Sequence, residues 1–120
     1  MINKEEINQM VAMIHTMNKK WWVDLQSGEP IKRNVGELIA LMHSELSEAL
    51  EADRKGLMDE KLKHRSGIEV ELADAVIRIF DAAGGLDLDL GGAIDEKLEY
   101  NLKRADHKVE NRRASGGKKY

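Results

Sequence analysis

Two acidic pairs carry the chemistry this sequence is best equipped for: Glu45-Leu46-Ser47-Glu48 and Glu71-Leu72-Ala73-Asp74. On a helix a spacing of three puts both carboxylates of a pair on one side, one turn apart. Leu38 and Leu41 lead by threes and fours into Glu45 and Glu48, and Ile68, Ala75 and Ile79 fall in line with Glu71. Acids therefore stand where the apolar periodicity calls for core residues. Four carboxylates gathered in partly apolar surroundings repel one another and are costly to desolvate, so either their pKa values rise or a multivalent cation neutralises them. Ligands that are all oxygen suit a hard ion, Mg2+ with Mn2+ as its substitute. The ordinary alternative is a solvated helix face, since Glu48-x-x-Glu51 and Glu96-x-x-Glu99 show the same spacing. A di-iron carboxylate site is disfavoured, because its Glu-x-x-His pairs have no counterpart at Glu45 or Glu71.

The elements that must position these acids read as helices. There is a single proline, Pro30, and no alternating β-branched run, while apolar residues recur at three and four throughout. The periodicity predicts a first helix from about Lys4 to Trp22, with Ile7, Met10, Val11, Ile14, Met17 and Trp21 on its apolar stripe, ending before the turn at Gln26 to Pro30. A second helix opens at Asn34 as N-cap, with Glu37 completing a capping-box pattern, and runs to about Lys55 before Gly56. After a charged connector from Leu57 to Arg65, Ser66 and Glu69 repeat the capping-box pattern, and a third helix is expected to Ala83, stopped by Gly84-Gly85. A fourth starts near Asp87 or Asp89 and passes through Leu90, Ile94, Leu98, Leu102 and Ala105. The expected organisation is one all-α domain over residues 1–110, an antiparallel bundle of four to five helices, followed by a basic, glycine-bearing, flexible tail over 111–120.

Composition narrows the function classes. With 19 Lys and Arg against 22 Asp and Glu, the net charge of −3 supplies no basic stripe for nucleic acid. The absence of cysteine excludes disulfides and thiolate zinc sites. No basic-then-apolar leader opens the chain, and no apolar run approaches the length of about eighteen residues that a membrane span needs, so cytoplasmic residence without a membrane is the expectation. The apolar stripes exceed what so short a chain can cover, and Met10, Met13, Met17 and Trp21 offer a contact between subunits.

The two acidic pairs, with Lys97, Asn101 and Arg104 further along, resemble the signature of the MazG-like nucleoside triphosphate pyrophosphatases, an all-α superfamily that includes dimeric dUTPases and phosphoribosyl-ATP pyrophosphatases. The likeness spans about Asn34 to Arg104 and extends more weakly into the first helix. It implies a bundle of that type assembled as an oligomer, a tetramer before a dimer. It also implies Mg2+-dependent hydrolysis of (deoxy)nucleoside triphosphates between the α and β phosphates, giving monophosphate and pyrophosphate, with Glu45, Glu48, Glu71 and Asp74 as catalytic metal ligands. Lys97, Asn101 and Arg104 are then expected at phosphate and sugar, and their spacing of four and three shares one helix face; a charged outer face pairing with Glu96 or Glu99 fits the same spacing. The first helix is where such relatives build the base pocket, which points to His15, Asn18, Trp21 and Trp22, each of which equally suits packing. Lys118 and Lys119 are further phosphate candidates in the tail.

Overall fold

The computed structural model describes residues 2–104 and 108–120. Among them the chain is helical: α1 (Lys4–Met17), a 3-10 turn (Lys19–Trp22), α2 (Val35–Lys55), α3 (Gly67–Gly85), α4 (Leu90–Lys103) and a short α5 (Val109–Arg113). Strand-like pairing is confined, among the described residues, to the isolated bridges Val23 to Pro30 and Met58 to Ser66. None of the described helices is long and apolar enough to cross a membrane. Two compact units divide the chain: one is Met10–Leu88, the other Met1–Gln9 with Asp89–Tyr120.

In the unit Met10–Leu88, caps fix where each helix begins. Asn34 Oδ1 accepts from Glu37 N at 2.9 Å to open α2, and Gly56, left-handed at φ 62°, closes it by donating to Ala52 and Asp53 carbonyls. Only half of the box expected at Asn34 forms, because the Glu37 carboxylate turns instead toward Arg33 Nη2 at 3.7 Å. At α3 the box is complete: Ser66 Oγ accepts from Glu69 N, and the Glu69 carboxylate accepts from Ser66 N, both at 3.2 Å. Ala52 lies against Gly67, Glu45 against Arg78, and Leu38 against Ala82. As residue numbers fall along α2 they rise along α3, so the pair is antiparallel. Small residues are prominent among those buried in the two helices: Ala49, Ala52, Ala75, Ala82 and Ala83.

Two expectations need correcting. The first helix does not run unbroken to Trp22. Asn18 Nδ2 donates back to the Ile14 carbonyl at 2.8 Å, and the backbone at Asn18 leaves helical values, so the chain tightens into the 3-10 turn. The expected stripe turns inward only in part: Val11 is buried and Ile7 and Ile14 are half-buried, whereas Met10, Met17 and Trp21 are exposed and Trp22 is buried in place of Trp21. The second correction concerns Gly84-Gly85, which do not stop α3 but belong to it. A side chain on Gly84 would approach His15 Cβ to 2.5 Å, and one on Gly85 would collide with the Trp22 ring. The helix ends at Gly85 and is capped by Leu86, followed by Asp87 at φ 57°.

In the unit Met1–Gln9 with Asp89–Tyr120, Asp89 caps α4 by accepting from Gly92 N at 2.9 Å, and Asn8 Nδ2 donates to Asp89 Oδ1 at 2.8 Å. The expected passage of the fourth helix through Ala105 falls outside the described residues. The tail expected from residue 111 begins inside α5, which carries helical structure to Arg113.

Candidate metal centre

The antiparallel pairing of α2 and α3 sets the two acidic pairs opposite each other. One oxygen from each of Glu45, Glu71 and Asp74 falls within 4.8 Å of the others. Glu45 is the buried member, at 8% exposure, and its Oε1 accepts from Arg78 Nε at 2.9 Å. Glu71 Oε2 is buried without a hydrogen-bond partner. Glu48, on the exposed side of α2, neighbours Glu71 but stands outside this group of three. The structure thus brings three of the four expected ligands to one point and leaves the fourth beside it.

Electrostatics follow from that geometry. Burial, reinforced by the carboxylates of Glu48 and Glu45, pushes Glu71 up to about 7. Asp74 is also raised, first by burial and then by Glu45, with the Arg78 guanidinium pulling the other way. The residues present suit a divalent cation on two counts. Their donors are all oxygen, and Glu71 Oε2 is buried without a hydrogen-bond partner.

A linkage prediction arises here. Between the ordinary glutamate value of 4.5 and about 7, the folded chain keeps a proton on Glu71 that the unfolded chain has released. Without a divalent ion, stability should therefore fall as pH rises through that window, and Glu71→Gln should flatten the fall. Added Mg2+ should stabilise most above pH 7, by about 1.4 kcal/mol at ten times its Kd. Denaturant midpoints at pH 5 and 7.5, with and without Mg2+, check this; a flat wild-type profile sinks it.

An open cleft of about 610 Å³ adjoins the acids, with Glu45, Asp74, Arg33, Arg78, Asn18 and Trp21 among its walls. Of the four residues expected to recognise a base, Asn18 and Trp21 line this cleft, and Lys20 Nζ sits 5.3 Å from the Trp21 ring centre. The other two are engaged elsewhere. Trp22 Nε1 donates to both oxygens of Asp81 at 3.1 Å, His15 Nδ1 lies 2.9 Å from Asp81 Oδ1, and the two rings meet edge to face. A second, smaller cleft of about 390 Å³ is bordered by Glu48, Glu51, Asp59, Glu60 and Glu71.

Lys97, Asn101 and Arg104 belong to the other unit. Lys97 Nζ and the Arg104 guanidinium both lie over the Tyr100 ring, at 4.7 and 5.9 Å, so the two cations share one aromatic platform. Asn101 Oδ1 is buried without a hydrogen-bond partner, and Asn101 borders an apolar cleft of about 480 Å³ with Lys97, Ile94 and Leu98. In the tail, the Lys119 carbonyl accepts from Arg112 Nη1 at 3.5 Å.

Two residues at the cleft escape a reading built on acidic pairs: Arg78 and Asp81. Their signal was periodic. Arg78 follows Asp74 by four and Glu71 by seven, and Asp81 follows Asp74 by seven, so all four share one side of α3. No family model, curated protein or solved structure matches the chain.

Proposed function

We propose that this protein is a divalent-cation-dependent nucleoside triphosphate pyrophosphatase that releases nucleoside monophosphate and pyrophosphate. The observation that carries the proposal is the convergence of Glu45, Glu71 and Asp74 on one point, with a buried Glu71 oxygen that no protein donor satisfies. The motif resemblance supplies the reaction class. When bound, Mg2+ would neutralise phosphate oxygens and make a water molecule more acidic. Glu45, Glu71 and Asp74 hold the ion, and Glu48 completes the acidic set beside Glu71. The motif resemblance gives Lys97, Asn101 and Arg104 the phosphate and sugar oxygens; within the unit Met10–Leu88, the open cleft with Asn18 and Trp21 is the nucleotide-binding candidate. In the reaction the oxygen of water bonds to the α phosphorus and gives up a proton to a carboxylate of the cluster and then to solvent, the bond from the α phosphorus to the bridging oxygen breaks, and its electron pair leaves with pyrophosphate.

A homo-oligomer, tetramer before dimer, belongs to the same proposal. Met10, Met13, Met17 and Trp21 are 52, 64, 73 and 52% exposed, an apolar face that a second copy would cover.

Incubation with Mg2+ and a panel of ribo- and deoxynucleoside triphosphates, followed by anion-exchange separation of products, tests the reaction. Equimolar monophosphate and pyrophosphate, lost on chelation, is the expected result and would show the preferred base. Absence of turnover for every triphosphate would favour a helical module that binds nucleotides or proteins without catalysis.

A further inference from the structure

Resting on the polyphosphate substrate proposed above, we infer that Arg78 is a further ligand-binding residue, its Nε holding Glu45 while its two Nη groups take oxygens of the substrate's polyphosphate in the cleft. A guanidinium offers five N–H donors in one rigid plane. In Arg78 the Nε–H is occupied by Glu45 Oε1 at 2.9 Å. Neither Nη group makes a hydrogen bond among the described residues, while the guanidinium charge also acts on Asp74. The side chain is 40% exposed and lines the cleft of about 610 Å³ beside Glu45 and Asp74. A fork anchored at one edge and idle at the other loses little freedom on meeting a phosphate, which it fits with two parallel hydrogen bonds.

The second guanidinium of the cleft is differently placed. Arg33 stacks on the Trp22 ring at 5.3 Å, is only 17% exposed, and leans toward Glu37. Charge also singles out Arg78. Glu45, Glu48, Glu71 and Asp74, fully ionised, bring four negative charges; Arg78 returns one and a divalent cation two, so the set stays one charge negative and the guanidinium is the protein's own cation within it. A polyphosphate entering the cleft therefore needs a protein cation beside the acids, and Arg78, already bound to Glu45, supplies one.

Imidotriphosphate, which resists cleavage, provides the test. It is titrated calorimetrically into Mn2+-loaded wild type, Arg78→Gln and Arg78→Lys, with Mn2+ uptake alone followed by electron paramagnetic resonance. Arg78→Gln should take up Mn2+ as tightly as wild type or more tightly, having lost a competing cation, yet bind imidotriphosphate about tenfold or more weakly. Arg78→Lys keeps a charge for Glu45 but lacks the fork, and should lose about three- to tenfold. Equal imidotriphosphate affinity in wild type and Arg78→Lys, with Mn2+ bound in both, overturns the inference and leaves Arg78 as an ion-pair partner alone; this comparison decides the matter even where Arg78→Gln does not fold. No turnover enters this measurement. Failure of the protein to hydrolyse any triphosphate defeats the proposed reaction and leaves the Arg78 result standing, whereas unaltered affinity in the variants of an active enzyme defeats only the role of Arg78.

Discussion

Glu45→Gln and Asp74→Asn should each lower Mg2+-dependent triphosphate hydrolysis by about a thousandfold or more, equivalent to roughly 4 kcal/mol of transition-state stabilisation. Each substitution keeps the shape of its side chain and removes one charged oxygen donor from the group of three. Neither should unfold the protein. Asp74→Asn relieves repulsion in a cluster that raises the pKa of its own members. Glu45→Gln leaves Arg78 without a charged partner, but that side chain is 40% exposed and water can serve it. Circular dichroism melts beside the product assay separate loss of chemistry from loss of fold. If either variant hydrolyses at near wild-type rate while folded, the carboxylates are surface acids and the metal centre is wrongly placed.

The largest effect on stability is expected at a residue with no side chain. Gly85→Ala adds a methyl group that would overlap the Trp22 ring. That ring is poorly able to retreat: its Nε1 is held by both oxygens of Asp81, its edge meets His15, and Arg33 covers a face. Forcing atoms into such a site costs about 1–3 kcal/mol and at times more. The gain in helix propensity from glycine to alanine offsets only about 1 kcal/mol of this. A net loss of up to about 2 kcal/mol, at most on the order of 10 °C in Tm, is expected. Trp22→Phe is itself destabilising, yet in the Gly85→Ala background it should cost less than alone, because the smaller ring makes room; a double-mutant cycle measures that coupling. A stable Gly85→Ala protein would mean that the glycine is a weak helix former and nothing more.

What could be seen in the sequence was local. Asn34, Gly56, Ser66 with Glu69, and Asp89 each cap a helix end through hydrogen bonds to residues nearby in the chain, Asn34 with half of its expected box and Asp89 as one of the two starts that the spacing allowed. The acids were legible because they break an apolar line. Properties that depend on what lies across the interface were not legible. Gly84 and Gly85 look like a stop signal, and only the presence of His15 and Trp22 opposite them reveals why a Cβ is forbidden. The indole of Trp22 suits a planar ligand equally well until Asp81 is seen to hold its N–H. Arg78 carries no motif at all, and its importance comes from Glu45 on the neighbouring helix. Glu48 and Glu45 are indistinguishable by spacing, yet Glu45 is buried and Glu48 faces solvent.

The connector between α2 and α3 is closed at its base: Leu57 N donates to the Ala52 carbonyl, Gly67 N to the Leu57 carbonyl, both at 2.9 Å, and Met58 bridges Ser66. The relative register of the acidic pairs is thereby set by residues at the foot of the loop, while Lys63 and His64 at its crown lie exposed. Extra residues threaded in between Lys63 and His64 lengthen a loop whose closure cost grows only slowly with length, roughly 0.6 kcal/mol per doubling. The crown is therefore a natural insertion point for a reporter peptide or a fluorescent label, from which ion and nucleotide binding can be followed without moving Glu45 relative to Glu71. The same peptide placed before Leu57 would shift one helix along the other and dismantle the site.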